Sequence, residues 1–185
     1  MNAKNGRPSS RLFFFSVQPL LDHSALGWII LAVIDHNMRN ILVAVDFSAE
    51  TDRVIGIAST VARGTGAKLW MVHVAAPDPD FVGFDTGPRY VREQRAEVLR
   101  EEHTAIQQLA QQVKMSGLEC DGLLIQGSTT ETLLEEIERL GADMIIMGSH
   151  GKTGLFKAFV GSVSEQVLRD SRVPVLIVPS LERNK

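Results

Sequence analysis

The residues best suited to chemistry lie where a short apolar run meets a cluster of small residues. Met144 to Met147 is unbroken apolar sequence, the pattern of a strand buried on both faces. Gly148, Gly151 and Gly154 follow at once, and nine residues separate Gly151 from Gly161 and Ser162, where a helical pattern begins. A buried parallel strand, a glycine loop and a helix start together make an anion site. Glycines let main-chain N–H groups approach without a Cβ in the way, and a helix start adds unpaired donors and partial positive charge. The chemistry implied is phosphate binding.

Two common phosphate loops do not fit. A Walker A loop ending in Gly151-Lys152-Thr153 needs glycine at the position of Ile146, and the dinucleotide fingerprint needs glycine where the chain has His150 and Thr153. The spacing present is Gly148-x-x-Gly151, nine residues, then Gly161-Ser162. This resembles the ATP-binding signature of the universal stress protein family. Asn40 to Ser48, Val72-His73-Val74 and Val173 to Val178 are similar to that family's strand segments in the same order, so the resemblance covers roughly residues 38 to 180.

The resemblance implies site residues position by position. Ala44, Asp46 and Val74 match positions at the nucleoside end, with Met147 against the sheet or an adenine edge. Gly148, Gly151, Gly161, Ser162, Val163 and Ser164 match those that hold ribose and phosphates. The family often has proline at the position of Ala44, where main-chain contacts survive the change. The chemistry suits these roles: Asp46 offers acceptors for ribose hydroxyls or an adenine amine, and the N–H groups after Gly161 can wrap phosphates. ATP is the ligand implied, with Mg2+ or Mn2+ arriving on its phosphates.

Blander readings stand beside these. Asp46 could cap a neighbouring loop, and Ser162 with Glu165 has capping-box spacing. His150 and Lys152 read as solvent-facing loop residues, and His73 as a satisfied strand residue. There is no Cys-His pair, nucleophile elbow or metal-ligand cluster, and no evident general base for rapid hydrolysis. An ATP-regulated stress-response protein, at most a slow ATPase, is therefore favoured over a true enzyme. The alternatives are a nucleotide-free dimeric interaction module of the same fold and an adenylating enzyme. The latter would carry a Ser-Gly-Gly-x-Asp-Ser type loop where this chain has Asp46-Phe47-Ser48-Ala49-Glu50.

From Ile41 onward short apolar runs alternate with longer helical patterns, the mark of a parallel sheet. Strands are expected at Ile41 to Val45, Leu69 to Val74, Glu119 to Gln126, Met144 to Met147 and Val173 to Val178. The first helix is expected to be capped by Ser48, to bury Val54, Ile57, Ala58, Val61 and Ala62, and to stop at Gly64 and Gly66. A loop over Ala75 to Pro88 leads to a helix from Tyr90 to Met115. Ser128-Thr129-Thr130-Glu131 has capping-box spacing ahead of the third helix, and Ser162 to Arg169 is the fourth. The fold class is α/β, a single doubly wound domain with five parallel strands in the order 3-2-1-4-5 and helices on both faces. That order reverses between the first and fourth strands, where ligands of open parallel sheets bind, so Asp46 and Gly148 converge there.

Composition agrees with one globular domain: 185 residues, 44% hydrophobic and 22% charged. The formal charge of -3 and scattered Lys and Arg argue against nucleic-acid binding. Cys120 is the single cysteine, which rules out an intrachain disulfide and suits a reducing, cytoplasmic setting. Residues 1–37 do not read like the rest: their apolar pieces are too short to span a membrane, and no cleavage site follows cleanly. They are expected to be a non-family extension, disordered or a misassigned start, with Met38 beginning the family domain over residues 38–185. The last strand should lie at a sheet edge, and the family resemblance implies a homodimer paired through Val173 to Val178.

Overall fold

Five apolar runs form strands and four amphipathic stretches form helices, in alternation: β1 (Asn40–Ala44), α1 (Thr51–Thr65), β2 (Lys68–Ala75), α2 (Arg89–Met115), β3 (Cys120–Gln126), α3 (Thr129–Leu140), β4 (Met144–Gly148), α4 (Ser162–Asp170) and β5 (Val175–Val178). The structure, a computed structural model, describes residues 38–77, 89–149 and 161–180. The extension over 1–37, most of the loop before α2, and His150, Gly151 and Lys152 lie outside the described residues. All four strand pairings are parallel and the order is β3-β2-β1-β4-β5, the doubly wound arrangement expected.

Strand geometry explains how the core divides. Successive side chains leave a strand on opposite faces. Ile41, Val43 and Val45 accordingly join one cluster with Val54, Ala58 and Ala62 of α1 and Ile106, Ala110 and Val113 of α2. Leu42 joins the other, with Leu133 and Ile137 of α3 and Val167 of α4. β1 and β4 are central and covered twice, so Ile41, Leu42, Val43, Ile145 and Ile146 are wholly buried.

Element ends depart from expectation by more than one residue in three places. α1 starts at Thr51 with Glu50, not Ser48, at its N-cap, because Ser48 is held in the preceding turn: its carbonyl accepts from Thr51 N at 3.1 Å. Gly64 lies inside α1, and only Gly66 stops it, turning left-handed at φ 75° and donating to Ala62 O. β5 starts at Val175, since Ser171 Oγ bonds both the N–H and the carbonyl of Val173 and holds that residue in a turn. Ile57, placed on the buried stripe of α1, is 39% exposed, so the stripe is narrower than expected.

The amino edge of the sheet is tied by side chains. Asp143 Oδ2 accepts from the N–H groups of Arg39 at 2.7 Å and Asn40 at 3.0 Å, joining β1 to the start of β4. Asp121 meets Lys68 at 2.6 Å and Lys114 at 2.9 Å, and hydrogen bonds from these ammonium groups hold its carboxyl below the usual range. Cys120 beside it is 1% exposed, and burial pushes its thiol up to about 11. A thiol-reactive dye at pH 7.5 is therefore expected to leave the native chain unlabelled and to add one label after denaturation. Rapid labelling of the native chain would contradict this burial.

Candidate functional site

The site begins where two neighbouring strands part. β1 and β4 pair only from Ile41↔Met144 to Val43↔Ile146. Beyond that rung each follows its outer neighbour: Ala44 pairs with Val72 and Val45 N donates to Val72 O at 2.9 Å. On the other side Gly148 pairs with Val178 and Ser149 N donates to Val178 O at 2.8 Å. A crevice thus opens at the carboxyl ends of β1 and β4, the reversal point of the strand order.

Ala44, Val74, Met147 and Val163 all belong to the cluster on the α3 and α4 side of the sheet. Met147 is buried; Ala44, Val74 and Val163 are half-buried. Together they form an apolar wall at the carboxyl end, of the kind that accepts a flat ring.

Asp46 follows β1 and is half-buried. Its Oδ1 accepts from Ser48 N at 3.1 Å and from the Thr51 hydroxyl at 3.4 Å, so the expected local role is present. Its Oδ2 is buried and has no hydrogen-bond partner among the described residues. A buried carboxylate oxygen without a donor costs about 1–3 kcal/mol or more, so a capping role accounts for half of this carboxylate and leaves the other half open.

Across the crevice, α4 begins at Ser162 with Gly161 as its N-cap and no side-chain cap. Ser162 stands one residue inside the helix and is exposed, so the capping-box reading of Ser162 and Glu165 does not hold. The first bond into the helix runs from Glu165 N to Gly161 O, which leaves the N–H groups of Ser162, Val163 and Ser164 without a backbone acceptor among the described residues. Gly161 differs: its N–H donates to Ser149 O at 2.6 Å. The Ser164 hydroxyl is also committed, donating to Gly148 O at 2.9 Å, and the residue is buried. Ser164 therefore braces α4 against the end of β4, and only its main-chain N–H remains available.

Sequence reasoning missed Ser149, 4% exposed, whose main chain links β5 and Gly161 and whose Oγ accepts from Ser180 N at 3.1 Å. Ser180 Oγ in turn reaches Glu50 Oε1 at 2.8 Å, and Arg53 bonds Pro179 O, so the chain after β5 is fastened to the start of α1. Its signal was its place directly after Gly148, at the strand end. No group of three or more His, Cys, Asp and Glu able to hold a metal exists among the described residues. No helix among them is long and apolar enough to cross a membrane.

The Universal stress protein family pattern matches residues 37–179. A universal stress protein of Thermus aquaticus, encoded in the 3′ region of a QAH/OAS sulfhydrylase, is 33% identical over 142 residues, which span 76% of this chain and 98% of that protein. Among solved structures, UspA from Lactobacillus plantarum superposes with a TM-score of 0.68 at 20% identity, covering 76% of this chain and 97% of its own. The Archaeoglobus fulgidus universal stress protein in complex with dAMP superposes at 0.52 and 20% identity, over 75% and 96% of the two chains. A universal stress protein in complex with cAMP does so at 0.53 and 22%, over 77% and 97%. Family pattern, relative and strand order agree, and this chain belongs to the universal stress protein family.

Proposed function

We propose that the crevice between β1 and β4 binds an adenine nucleotide, ATP in particular, and that the protein is a nucleotide-regulated stress-response factor rather than a fast hydrolase. The observation that carries this reading is the buried Asp46 Oδ2, without a partner among the described residues, at a crevice whose other wall ends in the open start of α4. The two are complementary: a carboxylate accepts from ribose hydroxyls or an amine, and helix N–H groups donate to phosphate oxygens. Relatives solved with dAMP and cAMP support the same ligand class.

In this arrangement Ala44, Val74 and Met147 face the base, Asp46 takes the nucleoside hydrogens, and Ser162, Val163 and Ser164 donate main-chain N–H groups to the phosphates, with Gly148 and Gly161 leaving room for their close approach. Gly151 is proposed to join them. With no cluster of metal ligands among the described residues, Mg2+ or Mn2+ would enter on the phosphates, which supply most of its oxygens. Among the described residues β5 ends the strand order and pairs with β4 alone, and we infer that two copies pair along it. The single buried cysteine suits a cytoplasmic setting.

The test is to purify the full chain without added nucleotide, denature it and identify what is released. Emptied protein is then titrated with ATP, ADP, dAMP and cAMP, and loaded and empty forms are sedimented. Saturable ATP binding by a dimer is expected. No released nucleotide and no binding would move the function to a nucleotide-free interaction module, and a monomer at micromolar concentration would end the β5 pairing.

A further inference from the structure

His73 makes contacts on both sides of Asp46. The residue lies near the end of β2 and is 8% exposed, with Nδ1 2.7 Å from the Val45 carbonyl and the ring centroid 4.3 Å from that of Phe47, tilted by 47°. Val45 and Phe47 flank Asp46 in sequence, so one imidazole touches the residue before it and the residue after it. Phe47 is also the only non-glycine among the described residues at positive φ, 55°. A bulky residue enters that region only when its surroundings hold it there. Behind the ring, Glu102 of α2 places Oε1 3.7 Å from Nε2, while its Oε2 is buried without a hydrogen-bond partner among the described residues.

A carbonyl oxygen can only accept, so Nδ1 carries a proton and donates to Val45 O. Glu102 Oε1 stands 3.7 Å from Nε2, an ion-pair separation that draws the ring from the far side when both its nitrogens carry protons. The Val45 carbonyl and the Phe47 ring are fixed together, and the turn between them presents Asp46 at the strand end.

We propose that His73 is a positioning residue for the nucleoside end of the nucleotide site: by clamping Val45 and supporting the left-handed Phe47, it sets the turn that holds the Asp46 carboxylate, with Glu102 of α2 behind its ring. This rests on the nucleotide reading above. It identifies a chain of contacts from α2 through β2 to the ligand carboxylate.

The experiment uses the full chain. His73→Phe keeps a ring against Phe47 but loses the donor, and it is expected to weaken ATP and adenosine alike by roughly tenfold, since it disturbs the nucleoside end only. His73→Asn, whose side-chain amide can donate to Val45 O, is expected to recover most of that loss. Exchange of the Ser48 amide, which bonds Asp46 Oδ1, should accelerate in His73→Phe and slow again in His73→Asn while the amides of β1 stay protected. Unchanged affinity in His73→Phe, or no recovery in His73→Asn, overturns the proposal. Should His73→Phe not fold, the nitrogen-15 spectrum of the unmodified chain decides, because an unprotonated Nδ1 overturns it alone. Absence of adenine-nucleotide binding in the unmodified chain would instead overturn the nucleotide reading, and Ser48 exchange would still report whether His73 holds the turn.

Discussion

Asp46→Asn is expected to leave the chain folded and to lower its ATP affinity by roughly ten- to hundredfold, the loss of one or two charge-assisted hydrogen bonds worth about 1.5–3 kcal/mol. The substitution separates the two halves of the carboxylate. An asparagine Oδ1 still accepts from Ser48 N and the Thr51 hydroxyl, so the turn into α1 keeps its bonds. The amide nitrogen takes the place of Oδ2 and turns an acceptor into a donor, which an adenine amine cannot meet and a ribose hydroxyl meets only by reversing its own hydrogen bond, without the charge. Asp46→Ala is a blunter change, because it also deprives Ser48 and Thr51 of their acceptor and should lower the melting temperature as well as the affinity. Isothermal titration on both variants, with thermal melts beside it, checks the pair of expectations. An Asp46→Asn protein that binds ATP like the unmodified chain would mean that Oδ2 receives no hydrogen from the ligand.

Much of this arrangement was legible in the sequence because parallel sheets and glycine loops write strong signals. The run Met144 to Met147 is apolar without alternation since β4 is covered on both faces, and the strand order alone brings Asp46 and Gly148 to neighbouring strand ends. Helix starts were less legible. Ser48 and Ser162 each had a plausible capping pattern, yet Glu50 and Gly161 took those positions. A cap is decided by the dihedral angles of one residue, and these answer to contacts such as Gly161 N to Ser149 O that link distant parts of the chain. The left-handed Phe47 was invisible for the same reason. Nothing local favours that conformation for phenylalanine, whose contacts are with His73, on the next strand of the sheet, and with the core cluster beneath α1.

The second large effect concerns stability and reaches the site indirectly. Gly122→Val is expected to cost about 1–3 kcal/mol by overpacking, which lowers the melting temperature of a domain this size by about 3–10 °C. A Cβ at Gly122 would stand 2.7 Å from the Ile106 carbonyl oxygen and 3.3 Å from Ala110 Cβ, so the backbone of α2 rests directly on β3. No flexible side chain can move aside, and the helix must lift. The Gln107 side chain, which donates to Gly122 O at 2.8 Å, would lose its alignment with it. Gly56→Ala is the matching control: an exposed helix-interior glycine with nothing within 4 Å of the added methyl, where alanine should stabilise by about 0.5–1 kcal/mol. Glu102 lies one helical turn before Ile106, so lifting α2 also draws the carboxylate away from His73. Gly122→Val should therefore weaken nucleotide binding beyond what partial unfolding explains, at temperatures well below its melt. A variant with unchanged melting temperature would show that α2 and β3 do not meet this closely. One that melts early but binds ATP at full strength in the cold would place the Glu102 contact outside the path to the site.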